Sequence, residues 1–133
     1  MDTHDQSLEF PSVDLPQIDF EIILYARILK RLPNYIDVLK RQAELLSGRN
    51  RHAEALECDQ RLAHELPHDA DVHYNLACSL ASLAQVSAAV EALSTAFKNG
   101  YRDFEHVETD PDLDLLRKEP EFQALLKIYR VIA

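Results

Sequence analysis

The sequence repeats itself with a period of 34 residues. Identical residues recur at this spacing, among them Pro33 and Pro67, Ala43 and Ala77, Leu46 and Leu80, and Ala55 and Ala89. A self-match at about this period indicates a helix–turn–helix array, in which each unit buries its apolar face against its neighbours. The chain has only 2 glycines in 133 residues, which also favours helix over sheet. We therefore predict an all-α fold of antiparallel helix pairs.

Apolar residues recur at helical spacing in five segments, which we predict to be the main helices: 17–32, 35–47, 51–65, 70–83 and 86–98. The first should end at Leu32, because the residue before a proline is disfavoured in a helix. Gly48 is predicted to adopt the left-handed cap of the second helix. Asp69 is a predicted N-cap of the fourth.

The tail, residues 102–133, departs from the repeat. Asp110-Pro111 and Glu119-Pro120 each place a proline where a helix can start, because the first helical position needs no backbone N–H. We expect short, acidic capping helices here. A repeat array needs such terminal elements, since its last apolar face would otherwise meet water.

The repeated positions resemble the tetratricopeptide repeat family. The slots of that pattern hold Leu39, Gln42-Ala43, Leu46, Ala55, Asp59 and Pro67 in the first copy, and His73, Leu76-Ala77, Leu80, Ala89, Leu93 and Tyr101 in the second. Asp59 stands where the family usually has a large aromatic residue, and Gln42 where it usually has leucine. The closing segment is similar to the one that ends many small bacterial proteins of this family.

The resemblance implies a right-handed superhelix, a tetratricopeptide-like solenoid of about five main helices plus the short capping helices. The domain would span residues 17–133, with a half repeat at 17–33, repeats at 34–67 and 68–101, and the cap at 102–133. Residues 1–16, which carry Pro11 and Pro16, are predicted to be a flexible or strap-like segment.

In this family the first helix of each pair lines a concave groove that binds peptides or partner helices. The resemblance therefore implies a partner-binding groove formed by Asp37, Lys40, Arg41, Glu44, Asp71, Tyr74, Asn75, Cys78 and Ser82. Lys40 and Asn75 occupy positions at which some relatives grip a terminal carboxylate. Glu44 replaces an asparagine of that clamp, so the sequence does not favour a carboxylate clamp. An ordinary solvated helix face is the alternative interpretation of these residues.

The charge distribution bears on the class of partner. The net charge is −9, with six acidic and no basic residues in 1–21, and eight acidic against two basic residues in 103–121. Such ends would be repelled by nucleic acid and by anionic membranes. The chain opens with no signal-peptide pattern, and Cys58 and Cys78 match no metal or disulfide framework. We expect a cytoplasmic protein with protein or peptide partners.

The sequence predicts no catalytic residues, no cofactor and no metal site. With two glycines in the chain there is no glycine-rich phosphate loop, and no nucleophile motif is recognisable. Asp110, Asp112 and Asp114 lack the glycine and the terminal glutamate of a calcium loop.

The first helix has a wider apolar face than a surface helix needs. Phe20, Ile23, Leu24 and Arg27 form a predicted self-association face through which the protein would form a homodimer. A strap formed by residues 8–15 and a different protein are the alternative covers for these side chains.

These features predict a non-catalytic scaffold or adaptor that binds a protein or peptide. One alternative is a chaperone-like module for a secretion or assembly client. An alternative from another class is an enzyme subunit, which would need polar groups with perturbed pKa values converging in one pocket.

Overall fold

The chain is helical throughout the part that the computed structural model describes, residues 16–132. The α-helices are α1 Gln17–Arg31, α2 Ile36–Gly48, α3 His52–Glu65, α4 Ala70–Ser82, α5 Val86–Lys98, α6 Phe104–Thr109 and α7 Pro120–Ile132. A 3-10 helix, Pro111–Leu116, lies between α6 and α7. The all-α prediction is confirmed for these residues, which contain no strand. The predicted strap lies outside the described residues.

The helix boundaries follow the 34-residue period. α2 and α4 begin 34 residues apart, and so do α3 and α5. The predicted cap at Asp69 is present, because its carboxylate accepts the backbone N–H of Val72 at 3.1 Å. The helix start predicted at Pro111 is present too, and Asp110 caps this 3-10 helix. The expectation of only short closing helices was wrong for α7, because its 13 residues equal the 13 of α2.

Small side chains lie where neighbouring helices meet. Each helix from α1 to α4 packs against the next one along the chain. Ala55, Ala77 and Ala89 are fully buried at these contacts, where a small residue lets two backbones approach closely. One apolar cluster joins α1 to α4 and a second joins α4 to the tail. α4 therefore belongs to both halves of the core.

Gln42 stands where the repeat pattern usually has leucine, and its hydrogen bonding accounts for this difference. Its side chain is buried, and its Nε2 donates a hydrogen bond to the backbone carbonyl of Ile22 at 2.9 Å. A buried amide that reaches a carbonyl of the neighbouring helix replaces leucine without losing all its hydrogen bonds. This contact fixes α1 against α2.

The turns after α2 and α4 have the same backbone conformation. The left-handed residues are Asn50 and Ala84, each with φ 59°. The prediction for Gly48 was wrong, because α2 continues through Gly48 and the left-handed residue lies two positions later. Asparagine tolerates this conformation, whereas the Cβ of alanine meets the following carbonyl.

We expect Ala84→Gly to stabilise the fold. Relief of the strained φ outweighs the added chain entropy of glycine in the unfolded state, so the free energy of unfolding should rise by about 0.5–1 kcal/mol in denaturant titrations. Ala88→Gly, on the exposed face of α5, should lower it by about the same amount. Equal losses in the two variants would contradict the account of this turn.

Candidate functional site

A cavity of about 520 Å³ opens between α2 and α4. We call it the groove. α3 forms its floor, and residues of α6 and the 3-10 helix border one end. Its lining residues are Lys40, Ala43, Glu44, Ser47, Asp59, Leu62, Asp69, Asp71, Val72, Asn75, Cys78, Ser79, His106, Asp110 and Asp112.

The structure places the sequence-predicted groove residues in different environments. Lys40, Glu44, Asp71, Asn75 and Cys78 line the groove. These five belong to α2 and α4, the first helices of the two pairs. On each helix they face the groove together, because residues three or four apart share a helix face.

The other predicted groove residues lie outside this lining. Asp37 and Arg41 are exposed on α2, and the Arg41 guanidinium lies 3.3 Å from the Glu44 carboxylate. Ser82 is half-buried at the end of α4. Tyr74 is 4 % exposed, so its ring belongs to the core rather than to the groove surface.

The sequence did not assign Asp59 to the groove. This residue is on α3 and 4 % exposed, and its Oδ2 accepts the Ser79 hydroxyl at 2.5 Å. Burial raises the pKa of the Asp59 carboxyl to about 6, although the hydrogen bond from Ser79 lowers it. One feature of the sequence could have identified Asp59 as a groove residue. It is an acid at a position of the repeat pattern that is usually filled by a large aromatic residue.

A second buried carboxylate connects the tail to α4. Asp110 Oδ2 accepts the Tyr74 hydroxyl at 2.5 Å and faces the Cys78 thiol at 3.7 Å. His106 Nε2 lies 3.2 Å from the same oxygen. Asp110 Oδ1 accepts the backbone N–H of Asp112 at 3.0 Å. Sequence spacing could not show this cluster, since 32 or more residues separate the α4 donors from Asp110.

The electrostatics of this cluster oppose thiolate chemistry. Burial, followed by the Asp110 and Asp112 carboxylates, raises the pKa of the Cys78 thiol far above its ordinary value. Burial also raises the pKa of the Tyr74 hydroxyl, and that of its stacking partner Tyr101 to about 12. A nucleophilic cysteine needs a lowered pKa and a nearby cation. The perturbed thiol and hydroxyls therefore stay protonated at neutral pH, and Tyr74 and Cys78 act as hydrogen-bond donors to Asp110.

Three potential metal ligands come together at the same place. The ligand atoms of Cys78, Asp110 and Asp112 lie within 4.8 Å of one another. Asp110 already accepts hydrogen bonds from Tyr74 and Asp112. Burial and the Asp110 charge raise the pKa of Asp112, so the cluster holds excess negative charge. The sequence grouped the two aspartates but missed Cys78.

The groove is acidic rather than mixed in charge. Six of its lining residues are acidic: Glu44, Asp59, Asp69, Asp71, Asp110 and Asp112. Among residues 16–132, Lys40 is the only lysine or arginine in the lining. The charged residues of the predicted groove were Asp37, Lys40, Arg41, Glu44 and Asp71, three acidic and two basic, because the prediction drew on α2 and α4 alone. The floor and the tail add acids to the lining and no lysine or arginine.

The predicted self-association face remains a prediction. On α1, Phe20 is 37 % exposed, whereas Ile23, Leu24 and Arg27 are half-buried. Ile22 and Leu29 form the buried stripe of this helix. Ile18 and Leu32 continue the same helical spacing, and both are exposed.

Within residues 16–132, no helix is both long enough and apolar enough to cross a membrane.

Comparisons with known proteins give one partial similarity. Over 62 residues the chain is 48 % identical to a chloroplastic protein of Arabidopsis thaliana. The aligned part covers 46 % of this chain and 18 % of that protein, so the chain matches less than a fifth of the relative's length. No protein-family model matches the chain, and no solved structure does.

We expect Tyr74→Phe to lower the free energy of unfolding by about 2 kcal/mol, because it removes the hydroxyl that donates to the buried Asp110 carboxylate. Tyr35→Phe is the matched control, since Tyr35 is 47 % exposed and its change should cost under about 0.5 kcal/mol. Denaturant titrations of both variants give the comparison, and equal stabilities would refute a structural role for this hydrogen bond.

The raised pKa of Asp59 predicts a pH-dependent stability. The folded state favours the protonated acid, so this group's contribution is fully present below about pH 4 and is lost as the pH rises through about 6. Asp59→Asn keeps an acceptor for Ser79 and removes the ionisation. It should raise the free energy of unfolding by about 2 kcal/mol at neutral pH and leave it nearly unchanged at acid pH.

Glu57→Gln, on the exposed face of the same helix, is the control for this series. Its stability should track that of the wild type across the pH range. Thermal or urea unfolding at several pH values provides the measurement, and a gain for Asp59→Asn that is independent of pH would contradict the assignment.

Proposed function

We propose that the protein is a non-catalytic scaffold of the tetratricopeptide-repeat type, which binds a peptide or a partner helix in the groove. Its two helix pairs, α2–α3 and α4–α5, would be successive repeats of a right-handed superhelix. The observation that carries the proposal is a cavity formed by equivalent faces of α2 and α4, which begin 34 residues apart.

The dimensions and chemistry of the groove support a polypeptide ligand. A cavity of about 520 Å³ is in the range of sites that accept several side-chain or ligand groups. Lys40 and Asn75 line it from opposite helices, where they can bond to a peptide backbone or to polar side chains. The apolar residues Ala43, Leu62 and Val72 are buried in its walls.

A catalytic role receives less support from the same residues. The Cys78 thiol has a raised pKa, and Asp110 is engaged with Tyr74 and with the backbone of the 3-10 helix. These bonds account for the cluster as a structural junction. Both cysteines are free, which suits a reducing compartment such as the cytoplasm.

The proposal predicts that a bulky side chain placed in the groove will block binding. Asn75→Trp, at a groove position of α4, should weaken partner affinity at least about tenfold by occupying the ligand's space. Gln60→Trp, exposed on α3 outside the groove lining, should change affinity by less than about twofold.

Affinity capture from the native cell, followed by titration of the recovered partner against wild type and the two variants, would test this prediction. If the two tryptophan variants bind the partner equally well, the groove is not the binding site.

A further inference from the structure

The floor of the groove holds a carboxylate that the fold leaves incompletely paired. Asp59 is 4 % exposed, yet within residues 16–132 the Ser79 hydroxyl is its one side-chain hydrogen-bond donor, on Oδ2. In the same part of the chain, no cation lowers the pKa of Asp59, which burial raises. Buried carboxylates are ordinarily paired with a cation, because removal from water is costly.

Part of the groove lining is apolar. Ala43, Leu62 and Val72 are each buried and line the cavity together with Asp59. The groove thus has an acidic residue at its floor and some apolar side chains among its polar walls. A metal ion would need several oxygen, nitrogen or sulfur donors around it, and Asp59 with the Ser79 hydroxyl is too small a set.

The groove's own cation, Lys40, does not act on the pKa of Asp59, so an arginine or lysine side chain from a partner can supply the missing pairing. Its methylene stem packs against apolar side chains while its charged head seeks an anion. A guanidinium or ammonium on a carboxylate forms a strong, charge-assisted hydrogen bond. The rim adds attraction at longer range, since Glu44 and Asp71 also line the groove and acidic clefts concentrate cationic ligands.

We propose that the groove binds a basic peptide segment, with one arginine or lysine side chain inserted between α2 and α4 to pair with the Asp59 carboxylate. This inference rests on the proposed scaffold function and names the chemistry of its partner. Asp59 is the specificity-determining residue of the site, and Ser79 positions its carboxylate through the 2.5 Å hydrogen bond.

The test uses an array of short random peptides probed with the full-length wild-type protein. Binding peptides should share an arginine or lysine at one fixed position. Replacing that arginine with citrulline, which keeps the stem and loses the charge, should weaken binding about tenfold or more.

Three variants of the protein test whether binding of the basic peptides depends on Asp59 and on the groove. Asp59→Asn should weaken binding of the basic peptides about tenfold or more, whereas Glu57→Gln, with the same change in net charge on the outer face of α3, should change it less than about twofold. Because the amide still accepts from Ser79, Asp59→Asn is expected to fold. Asn75→Trp should abolish binding to every peptide held in the groove.

The outcomes separate this inference from the scaffold function. Peptides that are lost with Asn75→Trp but bind equally to wild type and Asp59→Asn, or that need no basic residue, would leave the scaffold function standing and overturn the basic-ligand inference. Equal losses for Asp59→Asn and Glu57→Gln would reduce the effect to net charge and overturn it too. Failure of every peptide to bind, or binding indifferent to Asn75→Trp, would overturn both.

Discussion

The hydrogen bond between the Tyr74 hydroxyl and the Asp110 carboxylate joins the repeated helices to the tail. The Arg117 guanidinium donates to the backbone carbonyl of Asp110 at 2.7 Å, which fixes the start of the 3-10 helix. Leu113 and Leu116 of that helix are then fully buried against the core that α4 and α5 share with the tail. Tail and array therefore stabilise each other, because the tail covers the array's last apolar face and this buried acid needs its partner. The same junction gives the groove its acidic end.

The positions at which the repeat pattern fails are informative. Gln42 is neutral and donates its amide N–H to α1, although its Oε1 is buried without a hydrogen-bond partner among the described residues. Asp59 differs, because the Ser79 hydroxyl leaves its charge uncompensated and burial raises its pKa to about 6. A residue that lowers stability by departing from its expected type, such as a buried unpaired acid, is found mainly where function requires that residue. This contrast distinguishes a structural departure from one that points to a ligand.

The sequence predicted the helices more accurately than the site. Periodicity located five main helices within one or two residues, and the Asp69 and Asp110 caps follow from local chemistry. The left-handed cap was misplaced because α2 continues through Gly48, so that Asn50 rather than Gly48 takes the left-handed conformation. Of the groove residues, Lys40, Glu44, Asp71, Asn75 and Cys78 were predicted by their shared helix faces.

By itself the sequence determined the helical class, the 34-residue period and the excess of acid near both ends, since these depend on local spacing and composition. Only the tertiary structure decided which acidic residues lie close together. Asp59, Asp110 and Asp112 come from α3 and from the tail, and they border one cavity with α4 because the helices fold back on one another. Tyr74 was drawn into the core by the same packing. The net charge of the groove depends on residues from helices that are distant in sequence, so a local sequence pattern does not predict it.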